Sequence, residues 1–268
     1  MKRIDHAIVE LKEMDAMAAQ SSPVHSLNAT VKFLVTVLYI VLVVSFGKYE
    51  LSGLFVMILY PVLMFQLSGT SIARCFYKMR IVLPLVCAVG LFNPFFDRAP
   101  MLAAGGVTVT GGVISMITLM LKGVFCVTAS YILVATTPFD RICAALRRLH
   151  VPGFIVTLLL LTYRYISVMM EEVSVMTDAY MLRAPHQKGV QRSAWGSFLG
   201  QLLLRSMDRA EELYSSMKLR GLSGEFLYAD PGRCGIRDWA FLLVSAGAFF
   251  AMRYLDLAAM LGSAVLCG

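Results

Sequence analysis

Five apolar runs of nearly bilayer-spanning length constrain the fold of this chain more than any other feature. A helix needs roughly 17–25 mostly apolar residues to cross the hydrocarbon core of a membrane. Several runs are slightly short, so flanking residues such as Lys32 are expected to snorkel toward the interface. The runs lie at Val31–Phe46, Leu51–Leu67, Ile81–Phe96, Val113–Thr136 and Trp239–Tyr254. The sequence therefore predicts an all-α integral membrane protein with about five transmembrane helices.

The composition agrees with a membrane protein. Of the 268 residues, 58% are hydrophobic and only 15% are charged, whereas soluble proteins carry about a quarter charged residues. The mean hydropathy is +0.72. Residues Ile4–Pro23 are too polar for a cleaved signal peptide, which needs an apolar core. We expect the amino terminus to stay with the mature chain.

The distribution of lysine and arginine predicts the orientation in the membrane. The connection Ser68–Arg80 and the long segment Pro138–Asp238 are rich in these residues, whereas the other two connections offer only Lys48 and Arg98. Positive charge favours the cytoplasmic side. The amino terminus, the first of these connections and the long segment are therefore predicted to be cytoplasmic, and five spans place the carboxyl tail outside. This topology explains the net charge of +7 without nucleic-acid binding.

The chain is predicted to divide into three parts. Residues 1–136 form a membrane domain with the first four spans, and residues 239–268 form the last span and the tail. Residues 137–238 form a cytoplasmic insertion between them. The insertion is predicted to contain one short and two long helices.

The short helix has recognisable boundaries. Thr137-Pro138-Phe139-Asp140 has a capping-box arrangement, with threonine at the cap and proline at the first helical position. The helix should run to Arg147-Arg148, because arginines suit the carboxyl end of a helix dipole.

The second helix is predicted from Pro152 to Arg183. Its first half is apolar on all sides at Phe154–Leu161. Its second half narrows to a stripe that consists of Met169, Val173, Met176 and Tyr180. A sixth transmembrane span is the alternative, but Arg164 would then be buried in lipid at considerable cost.

The third helix is predicted from about Ser193 to Leu219. Its apolar positions recur at helical spacing and should keep one face buried. These positions are Trp195, Phe198, Leu199, Leu202, Ser206, Ala210, Leu213 and Met217. The pattern indicates an amphipathic cytoplasmic helix.

Both long helices end in an arginine followed by a small residue. The two sequences are Leu182-Arg183-Ala184 and Leu219-Arg220-Gly221. Each alone is ordinary helix termination, with Gly221 at the C′ position that favours left-handed geometry. The recurrence indicates two helices that finish in the same way and could dock onto a dimeric partner. Arginine suits such an interface, because its planar fork of donors binds carboxylates.

No catalytic apparatus is evident in the sequence. There is no GxxxxGK[ST] phosphate loop, so the chain is not expected to hydrolyse ATP. Its four histidines lack the spacing of metal ligands. A membrane enzyme that uses Arg164, His150 and Asp140 remains an alternative, although it would need a clustered acid/base set.

Lys122 falls near the middle of the fourth span. A charge at this depth is expensive and usually has a buried partner or a function. We expect its partners to be Glu171, Glu172 or backbone carbonyls. A secondary transporter built around Asn93-Pro94 and Lys122 is a further alternative.

Several segments together resemble a known family. They are Ser22–Lys32 before the first span, Thr136-Thr137-Pro138 with Leu146–Pro152, Tyr163-Arg164-Tyr165, and the two arginine signatures. Over nearly the whole chain, this order resembles the transmembrane coupling component, or T component, of energy-coupling factor transporters. The segment Ile4-Asp5-His6-Ala7 is similar to the cobalt-type version.

The resemblance assigns roles to particular residues. In that family each coupling helix ends in Ala-Arg-Gly, and the two arginines sit in grooves on two ATP-binding-cassette ATPase subunits. Arg183, Arg220 and Gly221 match those signatures, whereas Leu182, Leu219 and Ala184 depart from them. The resemblance makes residues 137–238 a coupling domain, in which Pro152, Arg164 and Met217, like Lys122 in the membrane, are expected to have structural or coupling roles.

The resemblance also implies the partners of a non-catalytic subunit. ATP and magnesium would bind the ATPases, and the cobalt ion would bind a separate substrate-binding membrane subunit, with a small accessory membrane subunit as a further partner. The chain itself would hold no cofactor. It would lie in the cytoplasmic membrane of a bacterium or archaeon as a multi-pass protein. The same family could instead serve nickel or a vitamin.

Overall fold

The computed structural model describes most of the chain. The described residues are 24–48, 50–69, 86–92, 100–104, 107–184, 189–222 and 235–254, with positions 9, 13, 16–18, 22, 75, 77, 80, 84 and 187. They form two compact units. We name them the membrane unit (Ala18–Pro138 with Gly232–Gly268) and the insertion unit (Phe139–Pro231 with Met1–Met17).

The described elements are helices apart from one hairpin. In chain order they are α1 (Ala29–Ser45), α2 (Leu51–Val56), α3 (Leu59–Ser68), β1 (Pro100–Ala104), β2 (Val107–Thr110), α4 (Gly111–Thr136), α5 (Phe139–Arg148), α6 (Gly153–Arg183), a 3₁₀ turn (Arg192–Ala194), α7 (Trp195–Leu219) and α8 (Ile236–Tyr254). The predicted all-α membrane fold is confirmed. The antiparallel hairpin, in which Ala104 pairs with Val107, was not predicted.

The membrane unit has an aromatic core. In α1, Val31, Val35, Tyr39 and Val43 recur every four residues and are buried, so one face of the helix is directed inward. The Tyr39 ring lies 4.5 Å from that of Tyr60 and 5.4 Å from that of Phe249, measured between centroids. Such aromatic pairs contribute about 0.5–1.5 kcal/mol each beyond their area. The core therefore ties α1, α3 and α8 together.

Polar contacts gather at the start of α1. The Asn28 side chain caps the helix by accepting a hydrogen bond from the Thr30 amide at 3.0 Å. The buried Lys32 ammonium donates to the Thr136 carbonyl at 2.9 Å. The Asp238 carboxylate accepts from the Asn28 amide at 2.9 Å. The start of α8 and the end of α4 are thus held beside the start of α1.

Two cations lie at the opposite end of α1. Lys122 donates to the carbonyls of Val44 at 3.2 Å and Phe46 at 2.5 Å. Arg253 donates to the Ser45 carbonyl at 3.2 Å. Positive charge is favourable here, because the last carbonyls of a helix carry negative partial charge. The contacts at both ends show that α1 and α8 run in the same direction and α4 in the opposite one.

The predicted transmembrane spans match the helices of the structure to different extents. Val31–Phe46, Val113–Thr136 and Trp239–Tyr254 match α1, α4 and α8 within a few residues. Leu51–Leu67 is not one continuous helix, because a turn at Met57-Ile58 separates α2 from α3. Much of Ile81–Phe96 lies outside the described residues, but residues 86–92 are helical.

By length and composition, α4 and α6 are the described helices that could each cross a membrane on their own. This criterion leaves the alternative of a sixth span at α6 open. Few residues in the apolar part of α6 are buried within the structure, so that surface is available to lipid or to another protein.

In the insertion unit, α5 packs against α6. Cys143, Ala144 and Ala145 are buried, and the Phe139 ring stacks on Tyr163 with centroids 4.2 Å apart. The predicted capping hydrogen bond is not formed. Among the described residues the buried Thr137 hydroxyl finds no hydrogen-bond partner, and the helix begins at Phe139, one residue later than predicted.

The two long helices begin slightly later than predicted. Pro152 is the N-cap of α6, so the helix starts at Gly153, and a 3₁₀ turn precedes α7. In α6 the predicted stripe of Met169, Val173, Met176 and Tyr180 is half-buried. In α7 the stripe is narrower than predicted: Phe198, Leu202, Ser206, Leu213 and Met217 are half-buried, whereas Trp195, Leu199 and Ala210 are exposed.

Candidate functional site

The first arginine signature forms the end of α6. Arg183 is the last helical residue, and the Ala184 amide still donates to the Tyr180 carbonyl at 3.1 Å. Ala184 has φ −130° and ψ 66°, a conformation that does not require glycine. The Leu182 side chain is 84% exposed, and Arg183 is exposed beside it. The tip of α6 is thus an exposed leucine and arginine on an unbroken last turn.

The second signature closes α7 with a Schellman motif. Gly221 has φ +85°, as its predicted C′ position requires, so that prediction is confirmed. The Gly221 amide donates to the Lys218 carbonyl at 3.0 Å, and the Leu222 amide donates to the Met217 carbonyl at 3.1 Å. These are the two bonds that define the motif. Met217 therefore supports the tip through its backbone, and its side chain is half-buried.

The two tips are alike in composition but different in backbone. Arg220 is the C-cap of α7, whereas Arg183 is still part of α6. The expectation that both helices finish in the same way is therefore wrong in detail. Leu219 is 90% exposed, so each tip nevertheless presents an exposed leucine directly before its arginine.

Helices α6 and α7 cross with opposite directions. One cavity of about 420 Å³ is lined by residues 175–183 of α6 and residues 194–205 of α7. A second cavity of about 250 Å³ is lined by Met169 and Glu172 of α6 and by residues 205–212 of α7. The later part of α6 therefore faces the earlier part of α7. The two arginine tips lie on opposite sides of the crossing.

An ion pair joins the helices between these cavities. The Arg205 guanidinium donates to the Glu172 carboxylate across 33 positions of sequence. The Arg209 guanidinium lies 3.7 Å from the Glu212 carboxylate within α7, at the i, i+3 spacing of neighbours on a helix surface. The pair between helices was missed, because no local spacing relates residues so far apart in the sequence.

The connection between α6 and α7 is tied to α6 by Tyr180. Its hydroxyl donates to the Gln187 side chain at 2.8 Å and accepts from the Gln191 amide at 3.5 Å. The entry into α7 is thus held close to the last turns of α6, next to Arg183.

The remaining predicted site residues lie in separate places. Pro152 starts α6, where its carbonyl accepts from the Ile155 amide at 3.0 Å. Arg164 is exposed on the first half of the same helix. Lys122 belongs to the membrane unit, where it binds the carbonyls at the end of α1. Of its expected partners the structure shows the carbonyls, and Glu172 is engaged by Arg205 instead.

The chemistry available at the tips is that of binding. Each tip offers an exposed guanidinium with an exposed apolar neighbour, a combination suited to carboxylates in an apolar groove. Within the described part of the chain, no cluster of three or more His, Cys, Asp or Glu side chains could hold a metal ion.

Comparison with known proteins gives a consistent result. The family described as "CbiQ: Cobalt transport protein" matches residues 20–229. An uncharacterised protein of Methanocaldococcus jannaschii is 25% identical over 261 residues, which cover 91% of this chain and 87% of the relative.

Two further relatives match over shorter stretches. The nickel permease LarQ of Lactiplantibacillus plantarum is 29% identical over 107 residues, 40% of this chain and 39% of the relative. The cobalt transport protein CbiQ of Rhodobacter capsulatus is 34% identical over 97 residues, 35% of this chain and 38% of the relative. The matched stretches thus span about two fifths of these two relatives.

Proposed function

This chain belongs to the CbiQ family of cobalt transport proteins, and on that premise we propose that it is the transmembrane coupling subunit of an ATP-driven uptake transporter of the energy-coupling factor type. It is a membrane transport protein. Its proposed task is to transmit the motion of an ATPase dimer to a substrate-binding membrane subunit.

The observation that carries this proposal is the placement of the two arginine tips. Arg183 and Arg220 are exposed, each follows an exposed leucine, and they lie on opposite sides of the helix crossing. Counted along the helices at 1.5 Å per residue, the tips can be up to about 40 Å apart. This separation suits two subunits of a dimer, one tip for each subunit.

The mechanism that we infer is mechanical. Each arginine would bind carboxylates in a groove of one ATPase subunit. The ATPase subunits would also hold ATP and magnesium. Closure of the dimer would draw the tips together and tilt α6 and α7. The chain itself would perform no chemistry. The methionines of the two helices, including Met217, would ease the repacking, because thioether side chains adapt readily to a changed surface.

A substrate-binding membrane subunit is the second proposed partner. The first half of α6 exposes Phe154, Ile155 and Leu158, and α7 exposes Leu199 and Leu203. An exposed apolar surface of this kind marks a place for protein or lipid contact. Tilting these helices would move whatever is packed on them, and the substrate site would open inward.

The cargo would bind that other subunit. The family description and one relative name cobalt, and another relative names nickel, so we propose a divalent transition-metal ion with cobalt as the first candidate. A vitamin is the alternative within the wider class of transporters. We place the chain in the cytoplasmic membrane of a bacterium or archaeon, with the amino terminus inside.

The test is purification of the tagged chain from its native membrane in mild detergent. We expect it to bring down ATP-binding-cassette ATPases, a substrate-binding subunit and, where present, a small accessory membrane subunit. Arg183→Ala or Arg220→Ala should weaken ATPase recovery, and the double variant should nearly abolish metal uptake. The control is Arg209→Ala, an exposed arginine in the middle of α7 whose ion pair lies within that helix, which should change neither.

Normal recovery of ATPases by the double variant would contradict the docking role. A chain that purifies alone and moves or modifies a substrate without ATP would instead indicate a secondary transporter or a membrane enzyme.

A further inference from the structure

The contact between α6 and α7 includes one ion pair beside half-buried apolar side chains of both helices. Glu172 and Arg205 form the ion pair that joins the two helices, and the described residues contain no second one between them. The Glu172 side chain is 24% exposed and that of Arg205 is 45% exposed. The pair is therefore accessible to water but partly enclosed by both helices.

Open space lies on either side of this pair. The cavity of about 420 Å³ extends toward the α6–α7 connection, and the cavity of about 250 Å³ extends toward the far part of α7. Arg205 lines both cavities. Because side chains do not fill the space beside the crossing, close packing does not fix the angle between the helices there. The ion pair, next to the half-buried apolar side chains of the two helices, is the polar contact that remains to hold it.

Both arginine tips lie far from this ion pair along their helices. Arg183 follows Glu172 by eleven positions, or about 16 Å of helix, and Arg220 follows Arg205 by fifteen, or about 22 Å. A change of 10° in the direction of one helix would therefore move its tip by about 3–4 Å relative to the other helix. Movements of that size decide whether an arginine reaches its groove.

We propose that the Glu172–Arg205 pair is the pivot of the two arginine-tipped helices, a positioning pair that sets their crossing angle and thereby the separation of Arg183 and Arg220. The role of this pivot in transport rests on the proposed coupling function. The geometry of the pivot is a property of this chain alone, so the two can be tested separately.

The geometric test measures the distance between the tips. The full chain, with its six cysteines replaced, carries spin labels at Leu182→Cys and Leu219→Cys, and pulsed electron resonance gives the distance distribution in lipid nanodiscs. Arg205→Met keeps the apolar stem but removes the guanidinium. We expect it to broaden the distribution and shift its mean. The charge-swapped double variant Glu172→Arg/Arg205→Glu should restore a narrow distribution.

The matched control is Arg209→Met. Arg209 lines the same cavity as Arg205, but its partner Glu212 lies on the same helix. Its loss should leave the distance distribution unchanged. An unchanged distribution in Arg205→Met, or an equal effect of Arg209→Met, would overturn the pivot whether or not ATPases bind the tips.

The coupling test uses the assembled transporter. Arg205→Met should still recover the ATPases, since both tip arginines are intact, but uptake per ATP hydrolysed should fall at least about fivefold, and the charge swap should recover most of it. Loss of ATPase recovery from every variant and from the unaltered chain would contradict the proposed function and leave the distance result standing. Full coupling in Arg205→Met would overturn the pivot alone.

Discussion

Four of the described arginines have three different surroundings, and each surrounding indicates a different use. Arg183 and Arg220 are exposed at helix tips. Arg205 is paired with Glu172 between two helices. Arg253 lies 4.3 Å from the centre of the Phe46 ring and donates to the Ser45 carbonyl. Of these four, Arg183 and Arg220 have their donors available for another protein, so residue type alone would not identify the site.

Lys122 shows what the sequence could predict about a single residue and what it could not. The need for polar partners followed from its position in an apolar run. The partners themselves depended on where α1 ends, because the carbonyls of Val44 in the last turn and of Phe46 just after it accept no hydrogen bond from a following turn of helix. A boundary in another helix, 76 positions away from Lys122, cannot be derived from the surroundings of Lys122 in the sequence.

Cys143 gives a testable pH dependence at the residue scale. Burial, with the Asp140 carboxylate nearby, raises the pKa of its thiol above the ordinary 9.0. The folded state therefore favours the protonated thiol, and this contribution to stability should be lost as the pH rises above about 9. We expect maleimide to modify native Cys143 at least about tenfold more slowly than in the unfolded chain, measured by mass spectrometry from pH 7 to 10. Equal rates in both states would contradict its burial.

At the scale of the element, the sequence predicted the ends of the long helices better than their packing. Pro185 after Arg183 and glycine after Arg220 are local stop signals, and both helices end where these signals stand. The narrower buried stripe of α7 depends on how α6 crosses it, which is a tertiary property. Trp195 and Leu199 fit the helical period but lie outside the contact.

Gly221→Ala tests the Schellman motif that supports the Arg220 tip. An alanine at φ +85° costs about 1–2 kcal/mol, so the last turn of α7 should fray. Hydrogen exchange of the Gly221-region amides, read by mass spectrometry, should speed up. Ala184→Gly is the matched control, because φ is negative there and the end of α7 should exchange as before. Unchanged protection in Gly221→Ala would contradict the motif.

At the scale of the whole molecule, helix direction constrains the topology without a count of spans. The start of α8 lies beside the start of α1, through the bond between Asp238 and Asn28. The end of α8 lies beside the end of α1, through Arg253 and Ser45. If both helices cross the bilayer, α1 and α8 must therefore end on the same side of it, because they run in the same direction.

Reporter fusions can check this arrangement. A reporter placed before α1 and one placed after α8 should lie on opposite sides of the membrane, with the first in the cytoplasm if the positive charges orient the chain. Alkaline phosphatase and green fluorescent protein fusions distinguish the two sides. Reporters found on the same side would contradict either the parallel arrangement of α1 and α8 or their passage through the bilayer.

The polar contacts at the start of α1 have a consequence for modular design. Within the membrane unit, Thr136 lies just before the insertion and Asp238 lies shortly after it. They are held by Lys32 and Asn28 respectively, which are one helical turn apart, or about 6 Å. An inserted segment whose ends emerge side by side can be exchanged without stretching its host. Residues 139–231 should therefore be transplantable as a cassette between family members, and a short linker should close the membrane unit in their absence.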